Sequence, residues 1–299
     1  MLAAKLPALG DPEGERVAPD LPPVVDAHVH LFPDRLFEAV WAWFDQHGWP
    51  IRYRLHAPQV ADYLLSRGVW HLVVMQYAHK PGIARELNRW MAGLSRGNPR
   101  LTALATVYPG EPEARALLDE AFDLGLRGVK LHCHVQAMGP DEPAMEDVYA
   151  ACESRGLPLV MHAGREPSSP AYLRDPHAFC SADRVERVLR EHPRLKLCVP
   201  HLGADEYDAY QGLLEQHANL WLDTTMMVAD YFPYPPPPRL LAVRPDRILY
   251  GTDFPNLPYA WDRELVRMRR WVRDDMLERV LSGNARALFG IPEVPGAAS

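Results

Sequence analysis

The chain has 299 residues, 47% of them hydrophobic, which suffices for a large core in either two domains or one α/β barrel. Its formal net charge of −7 is spread without long Lys or Arg runs, which argues against nucleic-acid and membrane partners. Four scattered cysteines, no signal-peptide pattern and no apolar stretch near the ~20 residues of a membrane span predict a soluble cytoplasmic protein.

The first 20 residues are predicted to be an N-terminal tail, and residues 21–299 a single domain. In that domain short apolar runs rich in β-branched residues alternate with helix-like segments, which is typical of repeated βα units around a parallel sheet. The eight predicted strands are Val24–His30, His71–Tyr77, Leu101–Val107, Gly128–His132, Leu157–His162, Lys196–His201, Asn219–Thr225 and Arg247–Asp253. This pattern predicts a (β/α)8 barrel, with a doubly wound open sheet as the alternative.

Amphipathic stretches between the predicted strands are interpreted as helices. Clear examples are Glu113–Leu124, Met145–Arg155 and Ala182–Glu191. The segment 231–238 contains too many prolines for a helix or a central strand. It is predicted to be a rigid loop that borders the site after the seventh strand, with a spacer or a polyproline ligand as alternatives.

Polar side chains gather where the predicted strands end. His28 and His30 are two residues apart at the end of the first strand, so they point the same way and could bind one ion. The other candidates at strand ends are Lys130, His132, His162, His201 and Asp253. In a barrel these ends converge on the face that carries active sites. Each histidine alone could be an ordinary core residue. Together, neutral imidazoles and one carboxylate form a ligand set that suits zinc, or else iron, manganese or nickel.

Four motifs carry a family resemblance: His-Val-His at 28–30, Val-Met-His-Ala-Gly around His162, Pro-His-Leu-Gly around His201 and Tyr-Gly-Thr-Asp-Phe-Pro around Asp253. In this order they resemble the amidohydrolase superfamily. More narrowly, they are similar to the branch that contains aminocarboxymuconate semialdehyde decarboxylase, resorcylate decarboxylases and several lactone hydrolases. The resemblance extends from Asp26 to the helix-like ending at 281–289, and it is specific for fold and metal site but not for substrate.

The resemblance implies a set of metal ligands, namely His28, His30, His162 and Asp253. It also implies that His201 activates the metal-bound water and that His201 and Asp253 share the proton transfer. The expected cofactor is one divalent ion, zinc before manganese or iron.

Lys130 raises the alternative of two metals. A lysine on the fourth strand is carboxylated and bridges two ions in binuclear members of the superfamily, whereas in mononuclear relatives it pairs with acidic groups or the substrate. His132 and His134 share the parity of Lys130, so they either face the pocket or are ordinary loop-end histidines.

Arg165 follows the His162 motif and is predicted to bind a substrate carboxylate at the pocket rim, or else to pair with Glu166. His79 and Lys80 are further rim candidates. Aromatic residues are dense after the first strand and in the proline-rich loop, namely Phe32, Phe37, Trp41, Trp43, Phe44, Trp49, Tyr231, Phe232 and Tyr234. Those at helical spacing, Phe37, Trp41 and Phe44, are more typical of a core than of a pocket wall.

We therefore expect a metal-dependent hydrolase that attacks the ester, lactone or amide carbonyl of a small carboxylated molecule. The first alternative is nonoxidative decarboxylation of an aromatic or muconate-type acid by the same metal shell. Others are a metal-free lactonase and, in another class, a barrel that only binds its ligand. The expected partner is a small-molecule substrate. The oligomeric state is left open, and exposed aromatic residues would suit the interface of a homodimer.

Overall fold

A computed structural model describes residues 9–293 of the chain. All eight predicted strands are present within shorter bounds: β1 Val25–His30, β2 His71–Met75, β3 Leu101–Ala103, β4 Val129–His132, β5 Pro158–His162, β6 Lys196–Val199, β7 Leu220–Asp223 and β8 Ile248–Leu249. The helices are α1 Asp34–His47, α2 Ala57–Ser66, α3 Ala84–Arg96, α4 Ala114–Asp123, α5 Cys133–Gln136, α6 Glu146–Arg155, α7 Ala182–Glu191, α8 Tyr207–Gln216, α9 Pro238–Val243, α10 Met268–Trp271, α11 Asp274–Glu278 and α12 Asn284–Phe289. A π-helical turn, Arg279–Gly283, joins α11 to α12.

The strands form two parallel sheets, β1-β2-β3 and β4-β5-β6-β7-β8. Single-residue bridges connect their edges, between Ala105 and Val129 on one side and between Val29 and Phe254 on the other. Backbone hydrogen bonds reinforce both junctions, from Lys130 N to Ala105 O at 2.8 Å and from His30 N to Phe254 O at 2.8 Å. The eight strands therefore close into the predicted (β/α)8 barrel, and the open-sheet alternative does not apply.

The interior of the barrel is apolar at its N-terminal end. Side chains from five strands pack there with α12, namely Val25, Ala27, Val73, Met75, Val160, Cys198 and Leu249 with Ala285, Leu288 and Phe289. A larger apolar cluster lies between the strands and the surrounding helices. Since the apolar side chains fill this end, polar groups are left to the opposite end, where the strands terminate.

An irregularity in β1 directs the two histidines of the opening motif. The pairing of β1 with β2 shifts register between Asp26 and Val29. Val25 and Ala27 face the interior core before the shift, and after it His30 pairs with Met75, which belongs to the same core. A bulge of this kind re-aims the side chains that follow it, so both His28 and His30 point into the barrel.

Two regions show more structure than the sequence suggested. Of the predicted tail, residues 1–8 lie outside the described residues, while residues 9–20 carry no helix or strand yet contact the barrel. Asp11 pairs with Arg263 at 2.7 Å, and Gly14 O accepts a hydrogen bond from Trp261. The proline-rich segment is a loop until Pro238, which begins α9 because proline is well suited to the first turn of a helix. Within the described residues, no helix has the length and hydrophobicity needed to cross a bilayer.

Candidate metal centre

Three side chains at strand ends converge on one point. His28 Nε2 lies 3.3 Å from His30 Nε2 and 3.6 Å from Asp253 Oδ1, and His30 Nε2 lies 2.9 Å from the same carboxylate oxygen. Two ligand atoms bound to one zinc ion at its usual bond lengths and tetrahedral angles are about 3.4 Å apart. The observed separations bracket this value, so the three residues fit a divalent metal ion.

Asp223 fixes the orientation of His28. Its Oδ2 accepts a hydrogen bond from His28 Nδ1 at 2.8 Å, which leaves Nε2 unprotonated toward the centre. Its Oδ1 accepts the backbone N–H groups of His201 and Thr225 at 3.1 and 3.2 Å. One buried carboxylate at the end of β7 therefore positions both a candidate ligand and the backbone of His201.

The Tyr-Gly-Thr-Asp segment after β8 packs closely against β1. Asp26 accepts hydrogen bonds from the Thr252 hydroxyl at 2.6 Å and from the backbone of His28 and Thr252 at 3.1 Å. A side chain at Gly251 would bring its Cβ within 2.8 Å of the His28 Cβ, so only glycine allows this approach. Asp253, at the end of the segment, has a φ of 75°, a strained value typical of functional sites.

Three further histidines lie next to one another beside the cluster. His132 and His162 are register partners across β4 and β5, and their rings stack with centroids 4.2 Å apart. His201 approaches His162 with a centroid distance of 4.6 Å, and its Nδ1 donates to Thr225 O at 3.0 Å. Among the described residues, His162 Nε2 is buried with no hydrogen-bond partner. His162 therefore offers a free ligand atom next to the cluster, although it is not one of the three converging groups.

Lys130 is fully buried at the base of this arrangement. Its Nζ lies 3.1 Å from His28 Nε2, the atom that converges with His30 and Asp253. Burial lowers the pKa of Lys130 to about 8, against the opposing charges of Asp223 and Asp253. An ammonium group and a metal ion would therefore compete for the same lone pair of His28.

Burial keeps the histidines neutral. It lowers the pKa of His28 to about 4, lowers that of His30 and His201, and places those of His132 and His162 well below the usual range. Burial alone would raise the pKa of Asp253, but the hydrogen bond from His30, together with electrostatic interactions with the neighbouring histidines, outweighs burial and lowers that pKa. Neutral imidazoles beside an ionised carboxylate are the protonation states that metal binding requires.

A cavity of about 620 Å3 opens over the strand ends. Five of the predicted site residues line it, namely His30, His132, His162, His201 and Asp253. Nine aromatic side chains form its walls, namely Phe32, Trp43, Phe44, Trp49, Tyr77, Tyr172, Tyr231, Phe232 and Tyr234. Phe37 and Trp41 belong to the core, whereas Phe44, from the same helix, reaches the cavity wall. The proline-rich loop borders the cavity through Tyr231, Phe232 and Tyr234.

The structure does not bring Arg165 into this cavity. The Arg165 guanidinium pairs with Asp205 at 2.9 Å and with Glu206 at 3.4 Å, whereas its neighbour Glu166 is among the residues that line the cavity. His79 also lines it, and Lys80 does not. His134 lies in the cavity wall, with Nε2 bonded to Gly164 O at 2.7 Å.

Sequence reasoning missed Asp223, Tyr77 and Asn256. Asp223 ends β7 at the same end of the barrel as the predicted ligands, so its position on a predicted strand was an available signal. Tyr77 is the last residue of the second predicted strand, so its place at a strand end was also an available signal. Asn256 lines the cavity from the loop after β8, where no pattern separates it from ordinary loop residues.

Comparison with known proteins agrees with this architecture. A family model described as amidohydrolase matches residues 25–291. Comparison with curated protein sequences gave no significant match.

Solved structures with the same fold include three enzymes. One is a 5-carboxyvanillate decarboxylase from Novosphingobium aromaticivorans complexed with manganese, at 15% identity and a TM-score of 0.68 over 93% of this chain and 100% of that chain. Another is a probable 2-pyrone-4,6-dicarboxylic acid hydrolase from Acinetobacter baumannii, at 16% identity and a TM-score of 0.61 over 90% and 99%. The third is 2,6-dihydroxybenzoate decarboxylase, at 17% identity and a TM-score of 0.63 over 90% and 100%.

Proposed function

This chain belongs to the amidohydrolase family, as its motifs predicted, and from that premise we propose that it is a divalent-metal-dependent decarboxylase of an apolar, ring-containing carboxylic acid. The proposal reverses the order of the two reactions expected from the sequence. The reason is the composition of the cavity, which bears on where a substrate carboxylate can bind.

One observation carries this choice: no Arg or Lys lines the cavity in the part of the chain that the structure describes. A hydrolase places the scissile carbonyl at the metal, so a separate substrate carboxylate needs a cation of its own. A decarboxylase places the carboxylate itself at the metal, and the rest of the substrate needs only apolar contact. The aromatic walls and the position of Arg165 outside the cavity fit the second arrangement.

In this proposal His28, His30, His162 and Asp253 hold one ion, with zinc, manganese and iron as candidates. Such an ion supplies positive charge that neutralises the substrate oxygens. The manganese in the structure of the 5-carboxyvanillate decarboxylase supports a divalent ion in this fold.

His201 is the proposed proton carrier. Its Nδ1 is occupied by Thr225 O, so Nε2 is the atom left to exchange a proton with the substrate. The carbon–carbon bond breaks with its electron pair left on the substrate carbon, and carbon dioxide departs. The proton that bonds to that carbon comes from water by way of His201, whose Nε2 first takes up the proton and then passes it to the carbon. The aromatic walls surround the rest of the substrate with apolar side chains.

The test begins with metal content, measured by elemental mass spectrometry on protein purified without a histidine tag. Metal-loaded protein is then incubated with aromatic acids labelled with carbon-13 at the carboxyl group, in deuterated water. Release of labelled carbon dioxide with one deuterium in the product is expected. If no acid releases carbon dioxide while esters or lactones are hydrolysed in parallel, the proposal is wrong.

Hydrolysis of an uncharged ester or lactone is the second candidate. The same observation favours it, because a neutral substrate needs no cation in the cavity, and His201 Nε2 could then act as the base that activates water. Incorporation of oxygen-18 from labelled water into a carboxylic acid product would identify this reaction.

A further inference from the structure

Glu166 forms part of the cavity wall and is held there by several hydrogen bonds. Its Oε1 accepts hydrogen bonds from His177 Nε2 at 3.0 Å and from the Ser168 hydroxyl at 2.9 Å, and its Oε2 accepts the Ser168 backbone N–H at 2.7 Å. Its own backbone N–H donates to Ala204 O at 2.8 Å. These contacts orient both carboxylate oxygens of Glu166 in the cavity wall.

Glu166 retains capacity for one more hydrogen bond. A carboxylate oxygen can accept two, and Oε2 accepts only the Ser168 backbone N–H in the described chain. Glu166 is buried yet lines the cavity, so a bound ligand is the natural source of a further donor.

The surroundings of Glu166 are acidic. The nearest guanidinium in sequence, that of Arg165, is paired with Asp205 and Glu206 and not with Glu166. Burial raises the pKa of the Tyr234 phenol, and the charge of the Glu166 carboxylate is the next largest cause of the rise. Tyr234 also lines the cavity, and its hydroxyl is buried without a hydrogen-bond partner in the described chain.

We propose that Glu166 is a specificity residue that rejects a second anionic group on the substrate and accepts a hydrogen bond from a neutral or cationic donor, such as a hydroxyl or amino group. This inference rests on the proposed function in one respect, since it takes the first carboxylate to bind at the metal. Two like charges held together in a buried site strongly oppose binding, whereas a donor on the ring would complete the hydrogen bonding of Oε2.

The experiment measures binding, not turnover. Zinc-loaded protein is titrated with benzoate, 3-hydroxybenzoate, isophthalate and terephthalate, with the fluorescence of Trp43 and Trp49 as the signal, since both line the cavity. We expect the wild type to bind benzoate at least about 10-fold more tightly than either dicarboxylate, and 3-hydroxybenzoate at least as tightly as benzoate. In Glu166→Gln the penalty on the dicarboxylates should fall to about 3-fold or less.

Two variants serve as controls. Glu215→Gln removes an exposed carboxylate on α8, outside the cavity, and should keep the wild-type ratio. His177→Gln keeps a hydrogen-bond donor to Glu166 and leaves the charge of Glu166 in place, so this variant should still exclude the dicarboxylates. It keeps the inference testable if Glu166→Gln folds poorly. Loss of discrimination in His177→Gln would contradict the assignment to Glu166.

Equal binding of benzoate and the dicarboxylates by the wild type would overturn the inference, as would an unchanged ratio in Glu166→Gln or no binding of any acid. Failure of the proposed function gives a different pattern. If the ratio responds to Glu166→Gln but no acid releases carbon dioxide, the specificity role stands and decarboxylation does not. If carbon dioxide is released but Glu166→Gln leaves the binding ratio unchanged, decarboxylation stands and the specificity role of Glu166 does not.

Discussion

Replacing Asp223 with asparagine should weaken metal binding without unfolding the barrel. The wild-type carboxylate accepts the Nδ1–H of His28 at 2.8 Å, which leaves Nε2 as a lone pair facing His30 and Asp253. An asparagine can present its Oδ1 to the backbone of His201 and Thr225, but its amide then faces His28 as a donor. The imidazole must adopt the other tautomer, with a proton on the atom that would bind the metal.

The size of the effect follows from the contact that is lost. Both side chains are 1% exposed, so water cannot replace the hydrogen bond. Loss of a buried partner of this kind lowers metal affinity by about 10- to 100-fold, which corresponds to about 1.4 to 2.7 kcal/mol. Because the two backbone hydrogen bonds to Asp223 can persist, we expect the melting temperature of the metal-free variant to stay within a few degrees of the wild type.

The measurement is the dissociation constant for zinc, obtained by competition with a chromophoric chelator, alongside thermal unfolding of the metal-free proteins. Asp208→Asn is the matched control, because Asp208 lies on α8 and pairs with Arg239 at the protein surface. A zinc affinity of Asp223→Asn equal to that of the wild type, in a folded protein, would refute the tautomer argument and with it the candidate centre at His28.

Three further outcomes are expected. His201→Ala should keep most of the bound metal and lower kcat by about 10²- to 10⁴-fold, and loss of the metal in this variant would point to a ligand role instead. Saturation with zinc at about 100 times its dissociation constant should stabilise the protein by about 2.7 kcal/mol, seen as a rise in Tm that chelation reverses, whereas an unchanged Tm would argue against a metal site. Burial raises the pKa of Glu264 in the folded protein well above its ordinary value of 4.5. Protonated Glu264 therefore stabilises the folded state, and this stabilisation is lost as the pH rises from 4.5 through the raised pKa. Glu264→Gln should therefore raise Tm relative to the wild type more at pH 8.5 than at pH 5.5, and a constant difference would contradict a protonated Glu264.

The fold was predictable because each strand of a barrel is a short buried run with a polar residue at its end. The runs ending at His30, His162 and Asp253 could be recognised individually, and the confirmed barrel architecture then places their ends together. The family followed from the same segments and is confirmed by the family model. The assignment of individual ligands and of the proton carrier stays a prediction.

What the sequence could not provide was the direction of side chains outside regular strands. Arg165 follows a candidate ligand by three residues, but in a loop this spacing does not determine direction, and its guanidinium pairs with Asp205 and Glu206. The bulge in β1 was equally hidden, since the parity of His28 and His30 is the same with or without it. The apolar character of the cavity depends on loops from distant parts of the chain, so it emerged only from the three-dimensional arrangement.

The contacts of the N-terminal segment bear on how this protein should be handled in the laboratory. Asp11 binds Arg263, and Arg263 in turn donates to the carbonyl groups of Ala229 and Asp230, directly before the aromatic residues Tyr231 and Phe232 of the cavity wall. A truncated version that begins near residue 20 would lack the Asp11–Arg263 ion pair, which anchors one wall of the cavity. A bulky fusion partner attached close to this segment would disturb the same contact. Kinetic work on shortened or fused forms would then describe an altered cavity, so expression vectors should retain residues 9–20.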